Sequence, residues 1–140
     1  MHRRLGTVWV ILLIVTVFVV WGEHPASTRA AALTTVRDLV STSAPSTAAT
    51  HTIQFTTTNA VPAGGKVTIT LQTGFQIPGG FSYSDVDVAV NTGSGFVERT
   101  LATTPSGSED GVAINENVIT ITLGTSGSIS AGNMVRILLG

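Results

Sequence analysis

Cysteine is absent from this 140-residue chain, so neither a disulfide framework nor a thiolate metal site can form. The absence leaves the compartment open, because a domain of this size can build its core without cross-links. Charge is also scarce, at 11% of residues, and Lys66 is the only lysine. Beyond Ala32, four basic residues (Arg37, Lys66, Arg99, Arg136) stand against seven acidic ones, a balance near −3. Nucleic-acid binding needs clustered basic side chains, so no nucleic-acid partner is expected.

Aromatic residues make up 6% of the chain and no tryptophan occurs after Trp21. Phe81, Tyr83 and Phe96 are the aromatics in or beside expected loops, a thin set for a sugar-stacking platform. The Gly-rich stretch Val61–Val67 lacks the GK[ST] ending of a phosphate-binding loop, and no helix comes after it to supply an anion-binding N-terminus. His51 is the only histidine beyond the N-terminal region. No Ser or Cys motif accompanies it, and a general base needs an oriented partner. His51 therefore reads as a satisfied residue at the edge of the core. No catalytic residue, no cofactor and no enzymatic activity are expected.

The chain is rich in threonine, 22 residues, with 12 serines and 15 glycines. That composition favours strands with hydroxyl-bearing outer faces. His2, Arg3 and Arg4 precede an apolar run from Leu5 to Trp21, in which Thr7 and Thr16 are the only polar side chains. Basic residues before an apolar run direct the downstream polypeptide across a membrane, so the chain is expected to be exported. Trp9 and Trp21 suit the interfacial anchors of a spanning helix, while Ala30-Ala31-Ala32 suits a signal-peptidase site. A cleaved signal peptide and a retained membrane anchor both stay open, and either way one N-terminal hydrophobic helix is expected. Residues 1–32 are assigned to this segment and its Pro25-containing linker, and 33–140 to one folded domain of ordinary size.

Within that domain, Leu33–Ser41 reads as an edge strand. Alternation puts His51, Ile53 and Phe55 on one strand face, and Val67, Ile69 and Leu71 on another, a pattern that Phe75 and Ile77 continue as far as the Pro78-Gly79-Gly80 break. The connection between these two runs, Asn59–Gly65, allows a hairpin or a crossing between sheets. Tyr83–Asn91 alternates most cleanly, with Val86, Val88 and Val90 facing one way. It pairs with a strand over Phe96–Ala102 across the Gly93–Gly95 turn. Thr103–Gly111 is a polar loop in which Glu109 and Asp110 would cap turns. Val112–Ile114 and Val118–Leu123 form a second hairpin about Asn115-Glu116-Asn117, and Met134–Leu139 is a last strand. Seven or eight short strands with regular turn signals predict an all-β fold, an Ig-like or Greek-key β-sandwich.

Three aspartates are the candidate metal ligands. Asp85 and Asp87 would lie on one strand face about 7 Å apart, and with Asp110 and neighbouring carbonyls they would form a Ca²⁺ site, which needs six to eight oxygens. The competing reading is solvation and edge protection. Threonines on outer faces, such as Thr52, Thr56, Thr68 and Thr70, suit cross-strand pairing and offer O-glycan sites.

The runs SAPSTAATHTIQFTT (Ser43–Thr57), VPAGGKVTITL (Val61–Leu71), the GF-x-IP of Gly74–Pro78 and SDVDV (Ser84–Val88) resemble the Thr-rich exported surface proteins of candidate-phylum (Patescibacteria-like) bacteria. The resemblance covers Leu33 to the end and implies a β-sandwich module behind a signal segment, with no activity attached. In that family the stretch matching Val135–Gly140 continues into further sequence, so this chain is expected to be a piece of a longer one. Otherwise the apolar strand Met134–Leu139 pairs inside its own sheet or is offered to a neighbour. Three functions are therefore expected candidates: a non-enzymatic cell-surface module with a structural or adhesive role, a carbohydrate- or Ca²⁺-assisted binding module of a larger extracellular protein, or a subunit polymerising by strand addition through Met134–Leu139. The partners expected are the membrane, through Leu5–Trp21 if it is retained, and a neighbouring surface protein or glycan.

Overall fold

Alternating side chains bury themselves only if a second layer covers their apolar face. The computed structural model describes residues 32–140, and there nine strands form two such layers. They are β1 (Leu33–Val40), β2 (His51–Thr57), β3 (Lys66–Thr70), β4 (Val86–Asn91), β5 (Phe96–Glu98), β6 (Leu101–Ala102), β7 (Asp110–Asn115), β8 (Val118–Thr122) and β9 (Met134–Leu139). One sheet has the order β1-β2-β9-β4-β5 and the other β3-β8-β7-β6. The expected N-terminal hydrophobic helix lies outside the described residues. Among the described residues no helix is long and apolar enough to cross a membrane.

The core between the sheets draws Phe55 from β2, Val86, Val88 and Val90 from β4, Val112 from β7, Ile119 and Ile121 from β8, and Val135, Ile137 and Leu139 from β9. These are the faces that the alternation predicts. On the outside of the smaller sheet Thr68 lies directly opposite Thr120, the cross-strand pairing expected of such a surface. The connection from β2 to β3 crosses between the sheets. Val61 bridges Ile129 on its way, and the Gly65 amide donates to the Pro62 carbonyl over 2.9 Å.

The last strand is not at an edge. β9 pairs antiparallel with β2 on one side (Ile53 opposite Ile137) and with β4 on the other (Val88 opposite Ile137). Both of its hydrogen-bonding edges are therefore occupied within the chain. The edges of that sheet are β1 and β5, and every residue of β1 is exposed. A register shift between Thr34 and Arg37, with Thr35 at a φ of 49°, interrupts β1, and such irregularities blunt an edge against further pairing.

Two stretches differ from the expected pattern. The strand predicted from Tyr83 begins only at Val86. The Ser82 amide donates to the Asp85 carboxylate over 2.8 Å, and the Ser84 amide to Ser82 Oγ over 3.3 Å. These bonds wind Tyr83–Asp85 into a 3₁₀ turn. The single strand predicted over Phe96–Ala102 breaks at Arg99-Thr100: β5 pairs with β4 in the larger sheet, whereas β6 runs parallel to β7 in the smaller one. Strand count thus rises from seven or eight to nine.

Asp110 explains how that break is held. Instead of capping a turn in a polar loop, it opens β7 and is fully buried at 0% exposure. Arg99 Nε donates to Asp110 Oδ2, Arg99 Nη2 to Oδ1 over 2.8 Å, and the Gly124 amide to Oδ1 over 2.8 Å. The hydrogen bond to Asp110 raises the Arg99 pKa against the opposing effect of burial, so the guanidinium stays charged. Gly124 is packed too tightly for a side chain, since a Cβ there would lie 2.5 Å from the Gly107 carbonyl oxygen and 2.7 Å from that of Glu109. Gly124→Ala should accordingly destabilise the fold by about 1–3 kcal/mol, the range for forced overpacking. Urea denaturation of the full-length protein checks this, and an unchanged midpoint would contradict the packing described.

Candidate functional site

At one end of the two sheets, the β1–β2 loop (41–50) and the segment 71–82 wall a cleft of about 660 Å³. The first wall is anchored at its base, where the Ser41 amide donates to the Thr50 carbonyl over 2.9 Å and the Thr50 amide to Ser41 Oγ over 2.8 Å. Its side chains are small, from Thr42 through Ala49, because SAPST-type sequence favours turns over ladders. The second wall carries Phe75, Ile77 and Phe81. Gly74 turns the chain with a φ of 106°, and the Phe75 amide donates to the Gln72 carbonyl over 3.1 Å. A positive φ of that size suits glycine alone. It lets Phe75 leave the strand direction predicted for it and stand 47% exposed.

His51 sits where the walls meet. It lies on the core face of β2 at 9% exposure, as its alternation with Ile53 and Phe55 predicts. Its Nδ1 lies 2.8 Å from Asp38 Oδ2, and its ring meets that of Phe75 at 5.6 Å between centroids, edge to face at 75°. Asp38 is the partner that sequence reasoning missed. Its position is set by register: Val40 lies opposite His51 and Asp38 opposite Ile53, so Asp38 shares the His51 face one step along the edge strand. The signal is a period-two spacing between Asp38 and Val40, which is informative only once β1 is known to pair with β2. A carboxylate accepting from Nδ1–H sets the imidazole tautomer and leaves Nε2 as the exchangeable position. Every buried side-chain N or O atom among the described residues has a hydrogen-bond partner. Nε2 has none among those residues, and His51 lines the cleft.

The three candidate metal ligands are not gathered. Asp85 is committed to the 3₁₀ turn through Ser82, so it does not share a strand face with Asp87. Asp87 is exposed on β4 opposite Leu138, and Asp110 is buried in its pair with Arg99. Among the described residues no group of three or more His, Cys, Asp or Glu stands close enough to hold a metal ion. The aromatics named from sequence are also dispersed. Phe81 lines the cleft and packs against the core, Tyr83 is exposed in the 3₁₀ turn, and Phe96 lies beneath Arg136, whose guanidinium carbon is 4.6 Å from the ring centre. Arg136 also binds Glu98 at 2.7 Å. Among the described residues the one strongly exposed aromatic at the cleft is Phe75, which reads from sequence as a strand residue.

The arrangement offers an apolar, hydroxyl-dotted cleft in which His51 is the only ionisable lining side chain among the described residues. It suits holding a ligand. Compared with known proteins, this chain matches no family model, no curated sequence and no solved structure.

Proposed function

We propose that this chain is a non-enzymatic, exported cell-surface module, an Ig-like or Greek-key β-sandwich carried behind Leu5–Trp21, which works in adhesion by recognising a ligand at the loop end of its two sheets. The observation that carries the reading is the cleft between the 41–50 loop and the 71–82 segment. It is a concave apolar site of the size that small ligands or chain ends occupy, mounted on a scaffold whose buried side-chain polar groups, among the described residues, are satisfied. Function placed on end loops over a rigid sandwich is a common division of labour. The basic residues before the apolar run, the hydroxyl-rich strand faces and the resemblance to Thr-rich surface proteins support export to the cell surface.

The test is adhesion of beads coated with the full-length protein to cells or matrix from its native setting. Phe75→Ala should weaken attachment by about tenfold, the effect expected of an aromatic anchor, with an unchanged denaturation midpoint. Attachment that survives Phe75→Ala undiminished would place recognition elsewhere.

A further inference from the structure

We infer that the cleft takes the terminal residue of an uncharged saccharide, with His51 Nε2 bonded to one of its hydroxyls and Phe75 packed against its C–H surface. This deepens the recognition reading above and rests on it.

Charge decides first. Among the described residues no Lys, Arg, Asp or Glu lines the cleft, so no permanently charged lining side chain would offset the desolvation of a phosphate, sulfate or carboxylate on the ligand. The lining therefore favours a neutral ligand. Polar capacity decides next. The lining interleaves Ser43, Ser46, Thr47 and Gln76 with Phe75, Ile77 and Phe81, which suits a molecule whose surface alternates hydroxyls with C–H patches better than a wholly apolar one.

The imidazole sharpens the choice. With Nδ1 held by Asp38, His51 leaves Nε2 for the ligand, and a hydroxyl can bond it because a hydroxyl both donates and accepts. Phe75, in edge contact with the imidazole and nearly half exposed, supplies the apolar surface that sugar C–H groups seek.

The experiment is calorimetric titration of the full-length protein in detergent with neutral oligosaccharides ending in glucose, galactose, mannose or N-acetylglucosamine. Uronic-acid-terminated and sulfated counterparts serve as the charged arm, and apolar peptides as the alternative occupant. At least one neutral saccharide should bind, with its charged counterpart at least about tenfold weaker. His51→Ala and Phe75→Ala should each lower affinity by about tenfold, and Asp38→Asn, which keeps the size and loses the carboxylate, by a smaller factor. Phe96→Ala, remote from the cleft, should change nothing. His51→Gln, which keeps a polar end in the same place, retains part of the affinity and answers the objection that His51→Ala merely loosens the loop. Preference for the charged saccharides, or binding indifferent to both His51 and Phe75, would overturn the inference. Binding of apolar peptides alone, sensitive to Phe75, would overturn the saccharide and leave recognition at the cleft standing. If changing Phe75 reduced neither adhesion nor any binding, both readings would be overturned.

Discussion

Asp110→Ala should remove about 3–5 kcal/mol of stability, the cost of leaving one member of a buried ion pair without its partner. Against the roughly 5–15 kcal/mol that holds a typical domain together, that is enough to leave much of the protein unfolded at growth temperature. The reason lies in what the carboxylate does. It accepts two bonds from the Arg99 guanidinium and one from the Gly124 amide, and alanine would leave all three donors without that partner. The pair sits where the chain leaves β5 in one sheet for β6 in the other, so its loss loosens both layers at once. Replacing both partners with apolar residues, Asp110→Leu with Arg99→Met, should recover most of the deficit, since neither charge is then desolvated. Urea denaturation of the full-length protein and its two variants measures this directly. A single variant within about 1 kcal/mol of the parent would show that the pair is solvated.

Ile137→Ala is expected to cost about 2–5 kcal/mol, the range for emptying a fully packed site. Ile137 is 0% exposed and lies between Ile53 and Val88 on the two flanking strands, so the cavity would open at the centre of the larger sheet, where no flexible side chain can collapse into it. Its neighbour Arg136 points to the opposite face and pairs with Glu98 at the surface. Arg136→Ala should cost under about 1 kcal/mol. The contrast between adjacent residues, read from the same denaturation curves, checks the alternation that the fold depends on. Equal costs would mean that β9 is out of register.

Much of that alternation is legible in the amino-acid order. Val86, Val88 and Val90 announce their face, the exposed edge strand at Leu33 is marked by its imperfect pattern, and His51 is correctly placed on the apolar side of β2. The features that stay hidden depend on partners distant in sequence. Phe96–Ala102 reads as one strand because local spacing carries no record of which sheet each half joins. Asp110 reads as a solvated loop residue because its neighbours, Ser106 to Glu109, resemble every other surface turn; Arg99, brought across the sheet boundary, and the Gly124 amide make its burial tolerable. The Asp38–His51 pair is hidden for a similar reason, since it depends on the β1–β2 register, which a mid-strand irregularity sets. Phe75 fails differently. A glycine with positive φ turned it out of a pattern that it otherwise continues.

The order β2-β9-β4 in the larger sheet also carries a consequence for time. β2 and β4 share no ladder with each other, so until residues 134–139 arrive the sheet exists only as separate pieces with open edges and an uncovered apolar face. Contacts of such long sequence separation are slow to form. A chain that emerges N-terminus first therefore remains pliable for most of its synthesis, and commits to its folded shape only when the last described strand slides into the gap.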